Sequence, residues 1–574
     1  MGNFHDEIPS FLIPWIQKQE VFWVATSPLS ADGHVNVSTK GLKGTFHIID
    51  SKRVWYEDLT GSGVETISHL RENGRITILF NAFVGPPRIA RLFGKGSVYE
   101  FGTTEYNELL PPDVRNPGSR AVIVVDVEQV GTSCGYGVPF FEFKGHRDTY
   151  YNVASRLEQA DFAAQQTDKM PEKPVNVDSL PQKGLRHYFL SHNATSIDGL
   201  TGLTTAHETP RACNIAITKR SEIGRLSTSL ATKIGINSSG ELSKMLQLVD
   251  LRFLAGTIMG LLLATLYSKY SKEFPSVSED FGCLIRPFPS SKRFKVRPPH
   301  LATLSPPSSF PAMGQFFEEI PPFLISWLEK QQMFWTATAP LSGMGHVNLS
   351  PKCTRGMFHI VNSQKVWYED MSGSGVETIS HLKEPGNGRI TILFHAFEGP
   401  PRICRLFGSV YEYGTPQYDE YISPGARVPG SRAVIVVDVH KVGTSCGYAI
   451  PFYEFKSHRN QLLQWAQKRE SVDDEALQEY NEPSSKGLIS YWKEYNARSI
   501  DGIPGLDRKT FEEAFNLFNT GSLSYISDDK SLATSTRKGG PLADIFKDNG
   551  MLDSKFFTGL FLGVLATSVV VRYI

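Results

Sequence analysis

Cysteine is scarce in this chain, with six in 574 residues. They stand apart as Cys134, Cys213, Cys283, Cys353, Cys404 and Cys446, and no CxxC pair occurs. That spacing excludes a zinc ribbon or a thioredoxin-type site, and so large a chain with so few cysteines is not a disulfide framework. A reducing compartment is the expectation. An excess of charge of either sign is also missing: Lys+Arg is 59 and Asp+Glu is 59. A broad electrostatic attraction to nucleic acid is thereby excluded as the organising feature. His34, His47 and His69 lack metal-type spacing such as HxxxH, so no metal site is expected. No basic segment followed by an apolar core opens the chain, and a secretory signal is not expected. A full-length apolar run of about 17–25 residues is absent as well.

What the chain does have is a repeat. Glu7–Phe143 returns almost without gaps as Glu319–Phe455. Phe22-Trp23-Val24-Ala25-Thr26 recurs as Phe334-Trp335-Thr336-Ala337-Thr338, and Gly131-Thr132-Ser133-Cys134-Gly135-Tyr136 as Gly443-Thr444-Ser445-Cys446-Gly447-Tyr448. The period is too long for a solenoid, so these read as duplicated domains. Length alone allows two to four domains. The boundaries predicted are a first domain over 1–160, an irregular or helical extension over 161–245, and an apolar helix over 253–267. A Pro/Ser-rich linker follows over 276–312, then a second domain over 313–465, its extension over 466–550, and a C-terminal apolar helix over 556–571. Met313-Gly314-Gln315-Phe316 resembles Met1-Gly2-Asn3-Phe4, as though two neighbouring reading frames had been joined.

Within one repeat, Ile8, Phe11, Leu12, Trp15 and Ile16 mark one face of a helix. Phe22–Thr26, Val35–Ser38, Thr45–Ile49 and Val54–Asp58 read as a meander of short strands. Ser62-Gly63-Val64-Glu65 reads as a capping box that starts a helix running to about Leu70. Arg75–Phe83, Arg88–Phe101 and Ala121–Val130 supply three longer strands. Six or seven strands with one or two small helices predict a mainly β, closed antiparallel barrel in each repeat. The runs Phe253–Thr265 and Phe556–Val571 are uncharged, and each carries GxxxG, at Gly256/Gly260 and Gly559/Gly563. They are expected either to anchor the protein in a membrane or to be buried apolar helices. The first repeat would then face the cytosol.

Candidate chemistry gathers on one strand and the turn after it. Asn36, Ser38 and Lys40 are spaced by two and share a face. Buried polar groups need hydrogen bonds and a buried cation needs an anion, so this face either holds a polar ligand or meets water. Gly61-Ser62-Gly63 precedes a helix, whose free N–H groups favour anions unless the capping Glu65 uses that end itself. The corresponding residues of the second repeat are Asn348, Ser350, Lys352, Ser374, Gly375 and, with Thr66 in the first, Thr378. Cys134 reads as a small buried hydrophobe, and Asp126 as a strand-end or solvent-face carboxylate.

The ordered strings Phe-Trp-Val-Ala-Thr, Asp-Gly-His-Val-Asn-Val-Ser-x-Lys-Gly, Trp-Tyr-Glu-Asp and Arg-Ile-Thr-Ile-Leu-Phe resemble the pyridoxamine 5'-phosphate oxidase-like proteins. Their fold is the FMN-binding split barrel, of antiparallel Greek-key type. The chain looks closest to a fungal-type branch with a V-N-x-S-P-K-G signature. The resemblance covers roughly residues 7–145 and 319–457 and implies two tandem split barrels. It further implies FMN at a barrel–barrel interface, formed within or between chains, with Lys40 and Lys352 near the flavin. Asn36, Ser38, Ser62, Gly63 and Thr66, with Asn348, Ser350, Ser374, Gly375 and Thr378, would complete the cofactor site. Thr39 replaces the signature Pro in the first repeat, and Cys353 the signature Gly in the second. Val64-Glu65-Thr66 falls where the true oxidases carry a Ser-Arg-Lys phosphate grip, and a carboxylate there repels phosphate unless it turns away as a capping Glu does. The expectation is a membrane-anchored flavin-dependent oxidoreductase acting on a small organic substrate. The alternatives are a non-catalytic flavin- or haem-binding protein and a ligand-free membrane scaffold.

Overall fold

The computed structural model describes residues 2–166, 178, 180–205, 314–352, 356–400, 402–406, 411–412 and 416–507. All of them belong to one compact unit drawn from residues 1–215 and 308–528. The linker, both apolar runs and Cys213, Cys283 and Cys353 lie outside the described residues. Among the described residues no helix is long and apolar enough to cross a membrane.

In the first half the strands are β1 (Asn3–His5), β2 (Phe22–Thr26), β3 (Asn36–Lys40), β4 (Phe46–Ile48), β5 (Arg53–Leu59), β6 (Arg75–Asn81), β7 (Ile89–Glu100), β8 (Ser119–Ser133) and β9 (Phe140–Gly145). All but β9 form one antiparallel path, β3-β2-β6-β7-β8-β5-β4, with β1 added on β8. The two ends of the path are not paired with each other, so the sheet is a curled half-barrel rather than the closed barrel expected from strand count. Its length comes from β7 and β8, whose pairing runs from Ile89↔Ser133 to Glu100↔Ala121 with a register shift at Phe93/Gly94. A Cβ at Gly94 would collide with the Asp126 backbone, so glycine permits the bulge there.

The second half repeats the pattern in two pieces. The strands β10 (Gln315–Phe317), β11 (Phe334–Thr338), β12 (Asn348–Lys352), β13 (Phe358–Asn362), β14 (Lys365–Met371), β15 (Ile390–His395), β16 (Ile403–Leu406), β17 (Tyr411–Glu412), β18 (Ser431–Asp438) and β19 (Val442–Ser445) assemble as β10-β19-β16-β15-β11-β12 and β13-β14-β18-β17, and β20 (Phe452–Ser457) stands outside both.

Each half wraps an apolar core. In the first half Ile8, Leu12, Phe22, Tyr56, Ile67, Phe80 and Ile123 are buried together. The extensions close these cores: Leu185 and Phe189 join the first, Leu488 and Trp492 the second. The N-terminal helix is shorter than predicted and occupies only Ile13–Ile16, with Pro14 in its first turn. Proline lacks an N–H and suits a helix start, not a helix interior. The capping box also fails. The helix is Glu65–Asn73, its N-cap is Val64, and no side chain caps it. Tertiary bonds hold the preceding turn instead. Gly61 O accepts from the Tyr188 hydroxyl at 3.2 Å and from Asn193 Nδ2 at 3.1 Å, and Gly63 O accepts from Arg120 Nη1 at 2.9 Å.

The two halves pack face to face through a shared apolar cluster that includes Trp23, Leu79, Phe141, Trp335, Leu393 and Tyr453. Trp23 stacks on Trp335 with ring centroids 4.5 Å apart. Contacts are reciprocal. Arg75 Nη1 donates to Ser342 O at 2.7 Å, and Arg389 Nη1 to Ser30 O at 2.7 Å. Thr77 Oγ1 donates to Val347 O, and Thr391 Oγ1 to Val35 O. Strand β9 pairs with β20 across the junction. Replacing both threonines, Thr77→Val and Thr391→Val, strands two buried carbonyls. We expect a loss of about 1–3 kcal/mol for each, read as a lower urea midpoint with an unchanged slope.

Candidate functional site

The strand face predicted from spacing lies in a cleft between the halves. Asn36, Ser38, Lys40, Ser62, Gly63 and Thr66 line one cleft together with Arg405, Ser445 and Cys446 of the other half. Asn348, Ser350, Lys352, Ser374, Gly375 and Thr378 line a second with Arg91, Ser133 and Cys134. The structure thus brings together all twelve predicted residues, in two sets of six. The clefts are near twins, with volumes of about 150 and 160 Å³. Cys134, expected to be a small buried hydrophobe, is half-buried and faces the second cleft. Asp126 lies away from both, in an exposed pair with Arg53 at 2.6 Å.

Lys40 does not wait for a phosphate as its counter-ion. Its Nζ is 2.6 Å from Asp58 Oδ1, and the other carboxylate oxygen of Asp58 accepts from Arg120 Nε at 2.8 Å. Lys352, Asp370 and Arg432 repeat this at 2.5 and 2.9 Å. Asp58 and Asp370 are fully buried. Burial pushes their carboxyls up, but the flanking cations together outweigh it and hold both below the usual range. The anion required by the half-buried lysine therefore comes from the Trp-Tyr-Glu-Asp string itself. Its neighbour Glu57 is buried as well. Burial raises its carboxyl, against bonds from the Asn116 N–H at 2.8 Å and from the Asn116 side chain.

Asn36 and Thr66 are tied into a second network. Asn36 Nδ2 donates to Thr26 Oγ1 at 3.1 Å and to Thr66 Oγ1 at 3.0 Å. Thr26 Oγ1 in turn lies 3.0 Å from His69 Nδ1. Burial lowers His69 to about 4, which makes it a neutral structural group. The second half keeps the same chain through Asn348, Thr338, Thr378 and His381.

Three sets of cleft residues were not singled out from the sequence. Arg405 and Arg91 each reach into the opposite half's cleft. Arg405 Nε donates to Val37 O at 2.8 Å, and Arg91 Nε to Leu349 O at 2.7 Å. Burial lowers both guanidinium groups, partly offset by Glu65 and Glu377 respectively. Arg120 and Arg432 form the second set. The third lies in Ser196-Ile197-Asp198-Gly199, a string that recurs as Ser499-Ile500-Asp501-Gly502. Asp198 accepts the His34 backbone N–H at 2.7 Å and bonds His34 Nδ1, and Asp501 holds His346 at 2.8 and 2.6 Å. Burial pushes these two carboxyls up, and the bonds from histidine hold them below the usual range. Each pair sits at the lip of a cleft beside Ile197 or Ile500. The repetition of these strings in the sequence was the available signal. Among the described residues no group of three His, Cys, Asp or Glu side chains is placed to hold a metal.

Comparison with known proteins bears on this architecture. The sequence model described as "Pyridoxamine 5'-phosphate oxidase" matches residues 11–134. The "Pyridoxamine 5'-phosphate oxidase family protein ustO" of Aspergillus flavus is 37% identical over 201 residues, which is 34% of this chain and 78% of that protein. This chain belongs to the pyridoxamine 5'-phosphate oxidase family. Among solved structures, HupZ of Group A Streptococcus matches at 20% identity over 21% of this chain and 92% of that one, with a TM-score of 0.17. A FAD-binding protein of Mesorhizobium loti matches at 11% identity over 23% of this chain and 96% of that one, with a TM-score of 0.16.

Flavin is the ligand that membership of the pyridoxamine 5'-phosphate oxidase family suggests, and the clefts can be tested against it. They fit a planar ring with a polar edge: a strand row of donors, a mixed apolar and polar lining, and cations from both halves. They do not fit a phosphate at the start of the Glu65–Asn73 helix. Glu65 does not turn away as a cap. Its carboxylate folds over Gly63, where an added Cβ would overlap it, and lines the cleft. Glu377 does the same over Gly375.

Proposed function

We propose that the chain is a flavin-binding protein of tandem split-barrel construction, with two ligand sites, one in each cleft between the halves. The observation that carries this reading is the composite build of each cleft. Lys40 and Arg120 of one half face Arg405 of the other, and Lys352 and Arg432 face Arg91. A junction that served only to hold two domains together would bury these cations against apolar surface or close over them. Here Arg120 and Arg432 are buried at the base, yet with Lys40, Arg405, Lys352 and Arg91 they line clefts that stay open. The Asn36 and Asn348 networks fix the strand face, and the His34–Asp198 and His346–Asp501 pairs fix its lip. The residues of this chain thus position a ring and limit its contact with water. A bound flavin would supply hydride and electron chemistry that the side chains lack. Reaction with a small organic substrate and attachment to a membrane through the two apolar runs remain part of the proposal.

The test is colour. Purified full-length chain should show a flavin band at about 450 nm, with two flavins released per chain on heating. A preparation that stays colourless after incubation with riboflavin and with FMN would overturn the reading, and a Soret band would replace flavin by haem.

A further inference from the structure

We propose that Glu65 and Glu377 set the ligand class of the two clefts, selecting a flavin with an uncharged tail over one that ends in phosphate. This rests on the flavin reading above and deepens it.

Two observations point the same way. The first is position. The Glu65 carboxylate lies over Gly63 inside the cleft and acts electrostatically on Arg405 and Arg120, and Glu377 acts on Arg91 from the same place. Neither glutamate is occupied in a capping box, since Val64 and Val376 are the N-caps and no side chain caps either helix. The second is charge balance. In and directly behind the first cleft stand Lys40, Arg120 and Arg405 against Asp58, Glu57 and Glu65. The second cleft has the matching six. Three cations already face three carboxyl groups, and the most buried carboxylate of each set bridges two of the cations.

A phosphate monoester brings a charge of about −1.5 to −2. In a half-buried, balanced cleft it gains little from cations that are already committed. It also meets a carboxylate at the place where the phosphate would sit, and like charges at short range in low dielectric repel strongly. A ribityl chain ending in a hydroxyl meets no such penalty. It can donate to Glu65 or Glu377, and a hydrogen bond to an ionised acceptor is stronger than a neutral one. The same side chain therefore rejects one tail and receives the other.

The experiment titrates full-length wild-type chain with riboflavin and with FMN at low salt, following quenching of flavin fluorescence. Riboflavin should bind at least about tenfold tighter than FMN, a ratio set by a single like-charge contact in each cleft. The E65Q/E377Q variant keeps the shape and removes the charge. It should bring the ratio to about one or below, chiefly by strengthening FMN. Wild-type chain that binds FMN as tightly as riboflavin, or tighter, overturns this inference and leaves the flavin reading standing. Failure of both flavins to bind removes both. The wild-type ratio needs no variant, so a folding defect in E65Q/E377Q cannot mask the answer.

Discussion

Asp58→Ala should lower the stability of the folded chain by about 3–5 kcal/mol, the usual cost of removing one member of a buried charge cluster. The side chain is fully buried, and one carboxylate oxygen goes to Lys40 and the other to Arg120. Removal leaves two cations facing each other at the base of the cleft, with Arg120 itself buried. The arginine keeps its bonds to Gly63 O and Asn193 Oδ1, so it stays in place and the repulsion is not relieved by movement. Asp370→Ala should behave alike through Lys352 and Arg432. Adding Lys40→Met to Asp58→Ala removes one stranded charge and should recover part of the loss. Urea denaturation of the three variants measures this. A loss under about 1 kcal/mol, typical of an exposed pair, would show that the cluster is solvated.

The second large effect is acid sensitivity. His69 and His381 are buried and lowered by desolvation to about 4, and His395 by burial to about 3. The unfolded chain protonates each near 6.5, but the folded chain does not until much lower pH. Above 6.5 the groups contribute no pH dependence. Below it the unfolded state binds more protons, so stability falls as pH falls. The penalty for His69 and His381 keeps growing until about pH 4, and for His395 until about pH 3. Between pH 6.5 and 4.5 each imidazole costs about 2.7 kcal/mol, and the three together about 8 kcal/mol at most. The lowered carboxyls of Asp58, Asp370, Asp198 and Asp501 add a further loss, of the same sign, as pH drops below their ordinary range near 3.8. Stability measured across pH 7 to 4.5 should therefore decline steeply. His395→Asn places there the residue that the first half carries as Asn81, and should remove about a third of the slope. A flat profile would show that these histidines are reached by water.

Much of this arrangement was legible in the sequence. The strand Phe22–Thr26 has the predicted bounds, and most other strands differ by a residue or two, because alternation and β-branching report local burial directly. The row Asn36, Ser38, Lys40 was readable from a spacing of two. What could not be read was anything that needed a partner far along the chain. The counter-ion of Lys40 is 18 residues away, and the arginine opposite it, Arg405, is in the other half. The capping box was misread because its local signal is real but weaker than the bonds from Tyr188, Asn193 and Arg120 that hold the Gly61 and Gly63 carbonyls. The closed barrel was expected from strand number, whereas closure depends on whether the end strands meet, which strand number does not specify. The helix over Ile8–Ile16 was predicted from apolar periodicity alone, and Pro14 confined it to the last turn.

The reciprocal packing of Trp23 against Trp335, with both clefts assembled across that contact, has a consequence for how the protein responds to dilution. Two separate chains that met in this way would part at low concentration and lose both clefts together. Here the partner surface is tethered, so its local concentration is set by the intervening peptide rather than by the number of molecules in solution. On the flavin proposal, the flavin bound per chain should be the same at nanomolar and micromolar protein, and a destabilising change in either half should be felt in both clefts at once.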